Sequence, residues 1–583
     1  MPSFGPKSVN FETVSQRPAH ALCWGPSTRE FMEGRLTLGT RANTPAGQVP
    51  TGSAESSSVA AQGSSLSAYP GPAGIPTRAP VALVAGPSGV RAAAMGPDGS
   101  VSPEPGSDEA LVGVLPPVYP EWLGDRGFNH AHGCRFPYVV GEMARGIASA
   151  EMVIAGARAG LMAFFGSAGL SIPDVDEAIQ TIQAALGTGI RNWGANLIHS
   201  PQEQHMEMDF AELMLARGVS NISASAFMRL QPAIVYLSAK GLTRAADGSI
   251  QRRTHIFAKV SRVEVARPFL SPAPESILAP LVEAGKLTAD EAALARLVPV
   301  AEDITVEADS GGHTDNRPLP VLLPMILDLA QEMCAEFGYA RPARVGVGGG
   351  LGTPAALASA FATGAAYVVT GSVNQAAVES ALSDDGRRML ATASMTDVAM
   401  APAADMFEMG VEVQVLKRGT MFAQRGKELY RIFRSYDSIE AMPDDERVAM
   451  EQKLLGRSVD EIWADTVSFF QRRDPREIER AQNDPKHRMA LIFRWYLFMG
   501  AQWARSGEEA RRGDYQIWCG PAMGAFNDWA KGSFLEPVDQ RTTVQIGLNL
   551  MEGAAWLTRA HQLRLAGVPV GPADTTFAPR LLR

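Results

Sequence analysis

Residues 344–374 read RVGVGGGLGTPAALASAFATGAAYVVTGSVN: an apolar run, a glycine-rich loop, a helical stretch, and a second apolar run ending in a polar loop. This order predicts a β-α-β unit, in which a helix connects two parallel strands. The 34 residues from Val345 to Val378 carry no charge, but seven glycines and Pro354 interrupt them. Such a stretch is poor for a lipid-facing helix, so we predict buried strand, loop and helix and no membrane span.

The same rhythm extends over the whole chain from Pro137 to this unit, with short apolar runs followed by turns and helical patterns. PAIVYLSAKG at 232–241 is predicted as a crossover helix, because proline suits a first helical turn. The predicted strands are Pro137–Gly141, Met162–Phe165, Trp193–Leu197, Asn221–Ser225, His255–Val260, Asp303–Ala308, Arg344–Gly348 and Ala366–Gly371. Eight strands favour an α/β fold of the (β/α)8 TIM-barrel type over an open sheet.

Four regions are predicted along the chain. Residues 1–79 form a disordered or low-complexity extension, because 41–75 consist mostly of Gly, Ser, Ala, Pro and Thr. Residues 80–115 form a small β-rich segment containing a hairpin, and 116–380 form the barrel. Within the barrel, 261–302 is a helical insertion in which Thr288 suits an N-cap. Residues 381–583 are predicted to be mainly α-helical.

Composition excludes several classes of function. The 583 residues include 53 Lys and Arg against 62 Asp and Glu, a net charge of −9 without a long basic run, which argues against nucleic-acid binding. The four cysteines lie far apart, which predicts reduced thiols in a cytoplasmic protein and no metal site. His130 and His132 lack a third ligand nearby and are predicted to lie in a surface loop. Signal-peptide, P-loop, G-x-S-x-G and H-E-x-x-H patterns are absent from the sequence.

The loops after the seventh and eighth strands suggest a phosphate site. Barrel enzymes bind ligands at the carboxyl ends of their strands, and a phosphate frequently sits after strands seven and eight. Gly349 and Gly350 would let the backbone approach an anion closely, and Gly371 with Ser372 would form the other side. The alternative is that these glycines only form turns and pack a helix against a strand.

Polar residues near the fifth and sixth strands are the other candidates. His313 follows two glycines after a strand end, where its imidazole could donate a proton to a bound group, or could simply hold the loop by hydrogen bonds. Glu307 and Asp309 could be a working pair, but a structural ion pair or loop cap is the role expected of them. Lys259 interrupts an apolar strand, so its charge is expected to neutralise an anionic ligand or to reach solvent.

Longer stretches carry a family resemblance. They are PYVVGEMARGIASAEMVI, NLIHSP, SASAF, ITVEADSGGHTDNRPLP, GTPAALASAFATGAAYVVTGSVNQ, APAADMFEMGVEVQVLKRGT and YQIWCGPAMGAFNDW. Across residues 116–567 the chain resembles the PfaD-type enoyl reductases, trans-acting partners of polyunsaturated fatty acid and polyketide synthases. The wider group, which includes FabK-type enoyl reductases and nitronate monooxygenases, is built on an FMN-binding (β/α)8 barrel.

The resemblance implies a flavin site with an active-site histidine, His313. Residues 141, 143 and 196 would lie against the flavin, and residues 349, 350, 371 and 372 would hold its phosphate. With Lys259 and Gly312 added, the predicted cofactor-binding residues are Gly141, Met143, Asn196, Lys259, Gly312, Gly349, Gly350, Gly371 and Ser372. Relatives often carry glycine two residues after the histidine, whereas this chain has Asp315, which leaves His313 as either proton donor or substrate orienter.

The implied reaction uses FMN and NADPH to reduce the 2,3 double bond of an enoyl thioester. The implied partner is an acyl carrier protein domain of the synthase, and a homodimer is one option for the assembly. Two other hypotheses stay open at this point. One is a nitronate monooxygenase with His313 as base, and the other is a non-catalytic docking component whose C-terminal third is the interface.

Overall fold

The strands form one closed barrel and three small sheets. The computed structural model describes residues 71–96, 99–101, 108–200 and 204–583, which belong to one compact unit. In chain order the strands are β1 (Val81–Gly86), β2 (Gly89–Ala94), β3 (Ala110–Leu115), β4 (Tyr138–Val140), β5 (Met162–Phe165), β6 (Trp193–Ile198), β7 (Asn221–Ser225), β8 (Thr243–Arg244), β9 (Ile250–Gln251), β10 (His255–Val260), β11 (Asp303–Glu307), β12 (Gly312–His313), β13 (Arg344–Gly348), β14 (Val368–Thr370), β15 (Val398–Pro402) and β16 (Glu412–Leu416).

The barrel consists of β4, β5, β6, β7, β10, β11, β13 and β14, with β14 pairing back to β4. All eight pairings are parallel, so the predicted (β/α)8 barrel is confirmed. Every predicted strand overlaps an observed one, because strands covered on both faces appear in the sequence as continuous apolar runs between turns. The predicted hairpin is also present as β1 and β2, and β3 adds a third antiparallel strand.

Helices surround the barrel and continue into the C-terminal region. They are α1 (Arg126–His132), α2 (Ala150–Arg158), α3 (Ile172–Leu186), α4 (Gln204–Ala216), α5 (Pro232–Ala239), α6 (Val263–Leu270), α7 (Glu275–Glu283), α8 (Ala289–Ala295), α9 (Leu319–Phe337), α10 (Pro354–Ala362), α11 (Ser372–Gln375), α12 (Asp384–Ala391), α13 (Phe422–Ser435), α14 (Asp444–Met450), α15 (Val459–Arg473), α16 (Pro475–Asn483), α17 (Pro485–Ser506), α18 (Ala522–Ala530) and α19 (Thr543–Leu565). Pro232 opens α5 as predicted. Thr288 caps α8 in a capping box with Glu291, as predicted. The predicted helical insertion at 261–302 contains α6, α7 and α8.

A buried ion pair lies at the amino ends of the barrel strands. Arg344 donates two hydrogen bonds of 2.6 Å to Asp303, and His132 lies 3.0 Å from both Asp303 and Asn221. Burial alone would raise the pKa of Asp303, but Arg344 and His132 hold it far below its usual value. The predicted surface loop is therefore wrong for His132. Residues 130 and 132 lie on α1, where a two-residue spacing turns one side chain outward and the other into the barrel.

The C-terminal region is mainly helical, but it also contributes two strands that the sequence pattern does not predict. Strand β16 pairs with β15 and with β12, so the loop that carries His313 is the edge of a three-stranded sheet. The register places His313 opposite Val413 and Gly312 opposite Gln414. The C-terminal region is thus joined by hydrogen bonds to a loop at the barrel mouth.

Residues 71–79, the end of the predicted N-terminal extension, pack against α19. Ile75 belongs to a small core with Val81, Leu563 and Val568. Arg78 donates two hydrogen bonds of 2.6 Å to Glu552. The predicted disordered extension is therefore wrong for residues 71–79, which pack against α19. Residues 1–70, including most of the predicted linker, lie outside the described residues.

The described cysteines are free thiols: Cys134, Cys334 and Cys519. Cys23 lies outside the described residues. Burial raises the pKa of Cys519 to about 12, which keeps it protonated and unreactive near neutral pH. Along the described ranges, no helix has both the length and the apolar character needed to cross a membrane.

We expect Arg78→Ala to lower the free energy of unfolding by about 2 kcal/mol, because among the described residues Glu552 would keep the more distant Arg580, at 3.6 Å, as its charge partner. Arg217→Ala is the matched control, since Arg217 pairs with Asp176 on the exposed surface and should cost under about 1 kcal/mol. Urea unfolding of both variants measures the difference. Equal losses would show that residues 71–79 do not anchor the chain on α19.

Candidate active site

A cavity of about 1260 Å³ lies at the carboxyl ends of the barrel strands. Its floor is formed by the loops that follow the strands, and residues of α15 and α17 line it from the C-terminal region. All the residues predicted for the site line this one cavity: Gly141, Met143, Asn196, Lys259, Gly312, His313, Gly349, Gly350, Gly371 and Ser372. The sequence therefore placed them together correctly, while their individual roles stay predictions.

The glycines after β13 and β14 form a cradle open to the cavity. Gly349 and Gly350 have φ of +92° and +72°, which favours glycine. A Cβ on Gly349 would lie 2.8 Å from the carbonyl carbon of Ala308, so this position also needs the close approach. A Cβ on Gly350 or Gly371 would meet no atom within 4 Å. The space beside the backbone of Gly350 and Gly371 is therefore open to the cavity.

Asn196 connects the loops of three neighbouring strands. Its Oδ1 accepts a hydrogen bond of 3.1 Å from the amide of Ala168, after β5. Its Nδ2 donates to Ser225 Oγ, at the end of β7, over 3.4 Å. Between the neighbouring strands β4 and β14, the amide of Gly141 donates to the carbonyl of Thr370 over 2.9 Å. These bonds fix the loops that a ligand at the mouth would touch.

Lys259 lies inside the barrel between two carboxylates. Its Nζ is 3.1 Å from Glu142 Oε1 and 2.9 Å from Glu307 Oε1. Ser223 and Ser225 donate hydrogen bonds of 2.9 and 2.8 Å to the same Glu142 oxygen. The side chain of Lys259 therefore does not extend into solvent, because its charge is compensated by two protein carboxylates. Lys259 also lines the cavity, and its role toward a bound anion stays a prediction. Glu307 is part of an ion pair, as expected.

The same contacts fix the charge states of the network. Burial alone would lower the pKa of Lys259, but Glu142 and Glu307 raise it well above its usual value. Burial alone would raise the pKa of Glu142, but the ammonium of Lys259 and the Ser225 hydroxyl lower it. Both groups therefore stay ionised near neutral pH.

His313 faces Asp405, a residue of the loop between β15 and β16. Its Nε2 is 3.2 Å from Asp405 Oδ1, and both side chains are about one third exposed, at 30% and 34%. Enclosure in the cavity would lower the pKa of His313, but the Asp405 carboxylate raises it above its ordinary value. The imidazole is therefore held in one orientation and favours its protonated form.

Asp315 forms a clamp across the cavity rim. It accepts hydrogen bonds of 2.7 and 2.8 Å from the guanidinium of Arg262 and one of 2.5 Å from Ser261 Oγ. These contacts lower the pKa of Asp315 to about 2, so it stays ionised. The loops after β10 and β11 are joined in this way. This contact gives a structural reason for an aspartate, and not a glycine, two residues after His313.

The segment around Cys519 covers the glycine loop that precedes His313. A Cβ on Gly311 would lie 2.8 Å from the amide nitrogen of Cys519, so the two backbones are in direct contact. The amide of Gly520 donates to Ser372 Oγ over 3.1 Å. Gln414 of β16 donates to Asp309 Oδ1 over 2.7 Å, and Asn316 of the same loop donates to it over 3.0 Å, which agrees with a structural role for Asp309. The C-terminal region therefore closes over both the histidine loop and the glycine cradle.

Sequence reasoning missed several charged residues of this cavity, among them Glu142, Asp405 and Arg145. Glu142 is next to Gly141 in the chain and could have been found from the strand-end rule. Asp405 is separated from His313 by 92 residues, and no local pattern connects them. Arg145 lies in the loop after β4, where a single arginine carries no signal of its own.

The chain is similar to one family model and to several known proteins. Residues 436–515 match the family model for the inserted helical domain of [acyl-carrier-protein] S-malonyltransferase. The chain is 48% identical to one subunit of the polyunsaturated fatty acid synthase of a Thraustochytrium species, over 76% of this chain and 30% of that protein. It is 44% identical to the polyketide biosynthesis protein PksE of Bacillus subtilis, over 75% of this chain and 56% of that protein. The chain thus spans between about a third and just over half of the length of these relatives.

The chain is also similar to a solved structure, which it covers over almost all of that structure's length. It is the enoyl reductase domain of MlnA, from the macrolactin biosynthesis cluster of Bacillus amyloliquefaciens. The similarity has a TM-score of 0.73 and 36% sequence identity, and it covers 76% of this chain and 99% of that domain.

We expect Lys259→Met to lower the free energy of unfolding by about 3 kcal/mol near neutral pH, because Glu142 and Glu307 would lose their counter-ion. The deficit should shrink as the pH falls. In the variant, the facing carboxylates lack their counter-ion and take up protons above the ordinary glutamate pKa, which reduces the deficit. The wild type keeps the stability that the lowered pKa of Glu142 gives over that pH range, because this stability is lost only below the ordinary glutamate pKa.

Urea unfolding at about pH 7.5 and about pH 5.5 tests this expectation. Lys240→Met is the matched control, since Lys240 forms a single, more exposed pair with Glu291. A deficit for Lys259→Met that does not change with pH would contradict the assigned charge states.

Proposed function

The chain belongs to the family of the enoyl reductase domain of MlnA, and on that premise we propose that it is an FMN-dependent, NADPH-driven enoyl reductase of the PfaD type. It would act in trans on enoyl thioesters carried by acyl carrier protein, in polyunsaturated fatty acid or polyketide biosynthesis. The observation that carries the proposal is the cavity, in which the glycine cradle and the paired histidine lie at the mouth of one barrel.

The cavity suits FMN. Gly349, Gly350 and Gly371 would hold its phosphate with backbone amides. No atom of the described residues lies within 4 Å of the Cβ position of Gly350 or Gly371, and Gly349 is needed where its loop contacts the backbone of Ala308. Along the flavin itself, Gly141, Met143 and Asn196 would form the wall. When bound, FMN would supply hydride transfer between NADPH and the β-carbon of the enoyl thioester.

His313 would deliver the proton that completes the reduction at the α-carbon. Its Nε2 is engaged by Asp405, and no hydrogen-bond partner for its Nδ1 lies among the described residues. The Asp405 carboxylate raises the pKa of the imidazole, which favours the protonated form that can donate to a developing thioester enolate. Asp405 acts as the positioning residue, because it fixes the ring and stabilises its charge.

A carrier-bound substrate is supported by two kinds of similarity. The helical segment 436–515 resembles a domain from an enzyme named for acyl carrier protein, and the curated relatives are named for fatty acid and polyketide synthesis. Residues of this helical segment line the cavity on the side away from the barrel strands. A thioester attached to a flexible arm could enter between this segment and the rim of the barrel.

We predict that Gly350→Asp abolishes flavin binding, because it places a carboxylate where the phosphate would lie. Gly338→Asp is the matched control. Gly338 has a similar φ of +65° and no atom within 4 Å of its Cβ position, but it ends α9 outside the cavity. Flavin content after purification and FMN titration measure the effect. Wild-type FMN affinity in Gly350→Asp would contradict the cradle.

We predict that His313→Gln slows reoxidation of the reduced flavin by an enoyl thioester by ~10²-fold and leaves its reduction by NADPH unchanged. Anaerobic stopped-flow measurement of the two half-reactions separates these steps. His130→Gln, on the exposed side of α1, is the control. Equal slowing of both half-reactions would point to a structural role, and unchanged reoxidation would remove His313 from the reaction.

A further inference from the structure

Arg145 is a buried cation to which the hydride and proton transfers proposed above assign no role. It lies in the loop after β4, and its φ of +60° is a strained conformation for a residue other than glycine. Only 9% of the residue is exposed, and it lines the cavity. Its guanidinium stacks on the ring of Phe498 in α17, 3.5 Å from the ring centre. Among the described residues, its side chain has no hydrogen bond and no ion pair.

The electrostatic surroundings of Arg145 are mostly positive. Burial lowers its pKa to about 9, and the charges of Arg473 and Arg505 contribute to the shift. The opposing carboxylate is Asp405, which is already hydrogen-bonded to His313. Enclosing a cation in this way costs free energy unless an anion joins it. A strained backbone that holds an uncompensated cation at a cavity wall is the pattern of a ligand site.

The ligand chemistry follows from the guanidinium. Arginine presents a rigid fork of donors that matches the oxygens of a phosphate ester. Arg145 packs beside Gly169, after β5, and against α17, whereas the glycine cradle follows β13 and β14. Arg472, Arg473 and Arg494 line the same cavity from α15 and α17, where Arg494 is paired with Glu408 and Asp465 is an acidic neighbour. Arg145 therefore faces the helical side of the cavity and is separate from the cradle.

We propose that Arg145 is the centre of a second anion subsite, which binds a phosphate ester of a ligand other than the flavin. The proposal rests on the proposed function, because both of its remaining ligands carry phosphate esters. One is the nicotinamide nucleotide and the other is the phosphopantetheine arm of the carrier. A phosphate there would neutralise Arg145 and bring its partner ligand between α17 and the barrel mouth.

A purely structural role for Arg145 makes a different prediction. If its stacking on Phe498 were its purpose, Arg145→Gln would lower the melting temperature. In our proposal the variant removes an uncompensated buried charge, so the melting temperature should stay unchanged or rise. Its flavin content should also stay at the wild-type level, because the cradle is elsewhere. Loss of flavin with unchanged binding of other phosphate esters would overturn the assignment.

Isothermal titration calorimetry of the full-length chain provides the direct test. The probes are 2′-phospho-ADP-ribose and 4′-phosphopantetheine, with adenosine and pantetheine as their counterparts without phosphate. We expect Arg145→Gln to weaken one phosphorylated probe at least ~10-fold and to leave the counterparts unchanged. Arg145→Lys should recover part of the loss. The probe that weakens identifies the source of the phosphate.

Arg126→Gln is the matched control, since Arg126 also stacks on an aromatic ring, 4.0 Å from the centre of Trp122, but is exposed and lies outside the cavity. The proposal is overturned if Arg145→Gln binds both phosphorylated probes as the wild type does, or if the wild type binds neither. These titrations need no turnover. Failure of the enoyl reductase function would appear separately, as absence of enoyl-dependent flavin reoxidation.

Discussion

The ion pair of Lys259 with Glu142 and Glu307 is the constraint on which the cavity depends. It joins the loop just after β4 to the carboxyl ends of β10 and β11 across the barrel interior. Charged groups at this depth cannot be covered by another apolar layer without losing their partners. The barrel mouth therefore keeps a polar floor. The hydroxyls of Ser223 and Ser225 extend that floor to β7, so four strands contribute to one network.

The second requirement is that the C-terminal region completes the site. His313 lies on an edge strand whose partner, β16, comes from that region, and its charge partner Asp405 lies in the loop just before β16. The segment around Cys519 packs directly on Gly311 and hydrogen-bonds to Ser372. The barrel alone would hold the glycine cradle but would leave the histidine without orientation. Barrel and C-terminal region are for this reason one functional unit.

The elements that the sequence predicted well are those governed by local patterns. The barrel strands are continuous apolar runs because both of their faces are covered, and Pro232 and Thr288 mark helix starts by their own chemistry. The site residues could be grouped because parallel strands all end at the same rim. Long-range pairing is what the sequence could not show. The partners of Lys259 and His313 lie between 48 and 117 residues away, and the buried contacts of His132 are with Asn221 and Asp303, both far from it in the sequence.

The most direct test of the account is an anaerobic absorption titration of the purified chain. We predict a flavin spectrum that NADPH bleaches and that one equivalent of an enoyl thioester restores, with formation of the saturated thioester. The bleached spectrum should persist without the thioester as long as oxygen is excluded. A colourless protein, or a reduced flavin that only oxygen or a nitronate reaction reoxidises, would contradict the account.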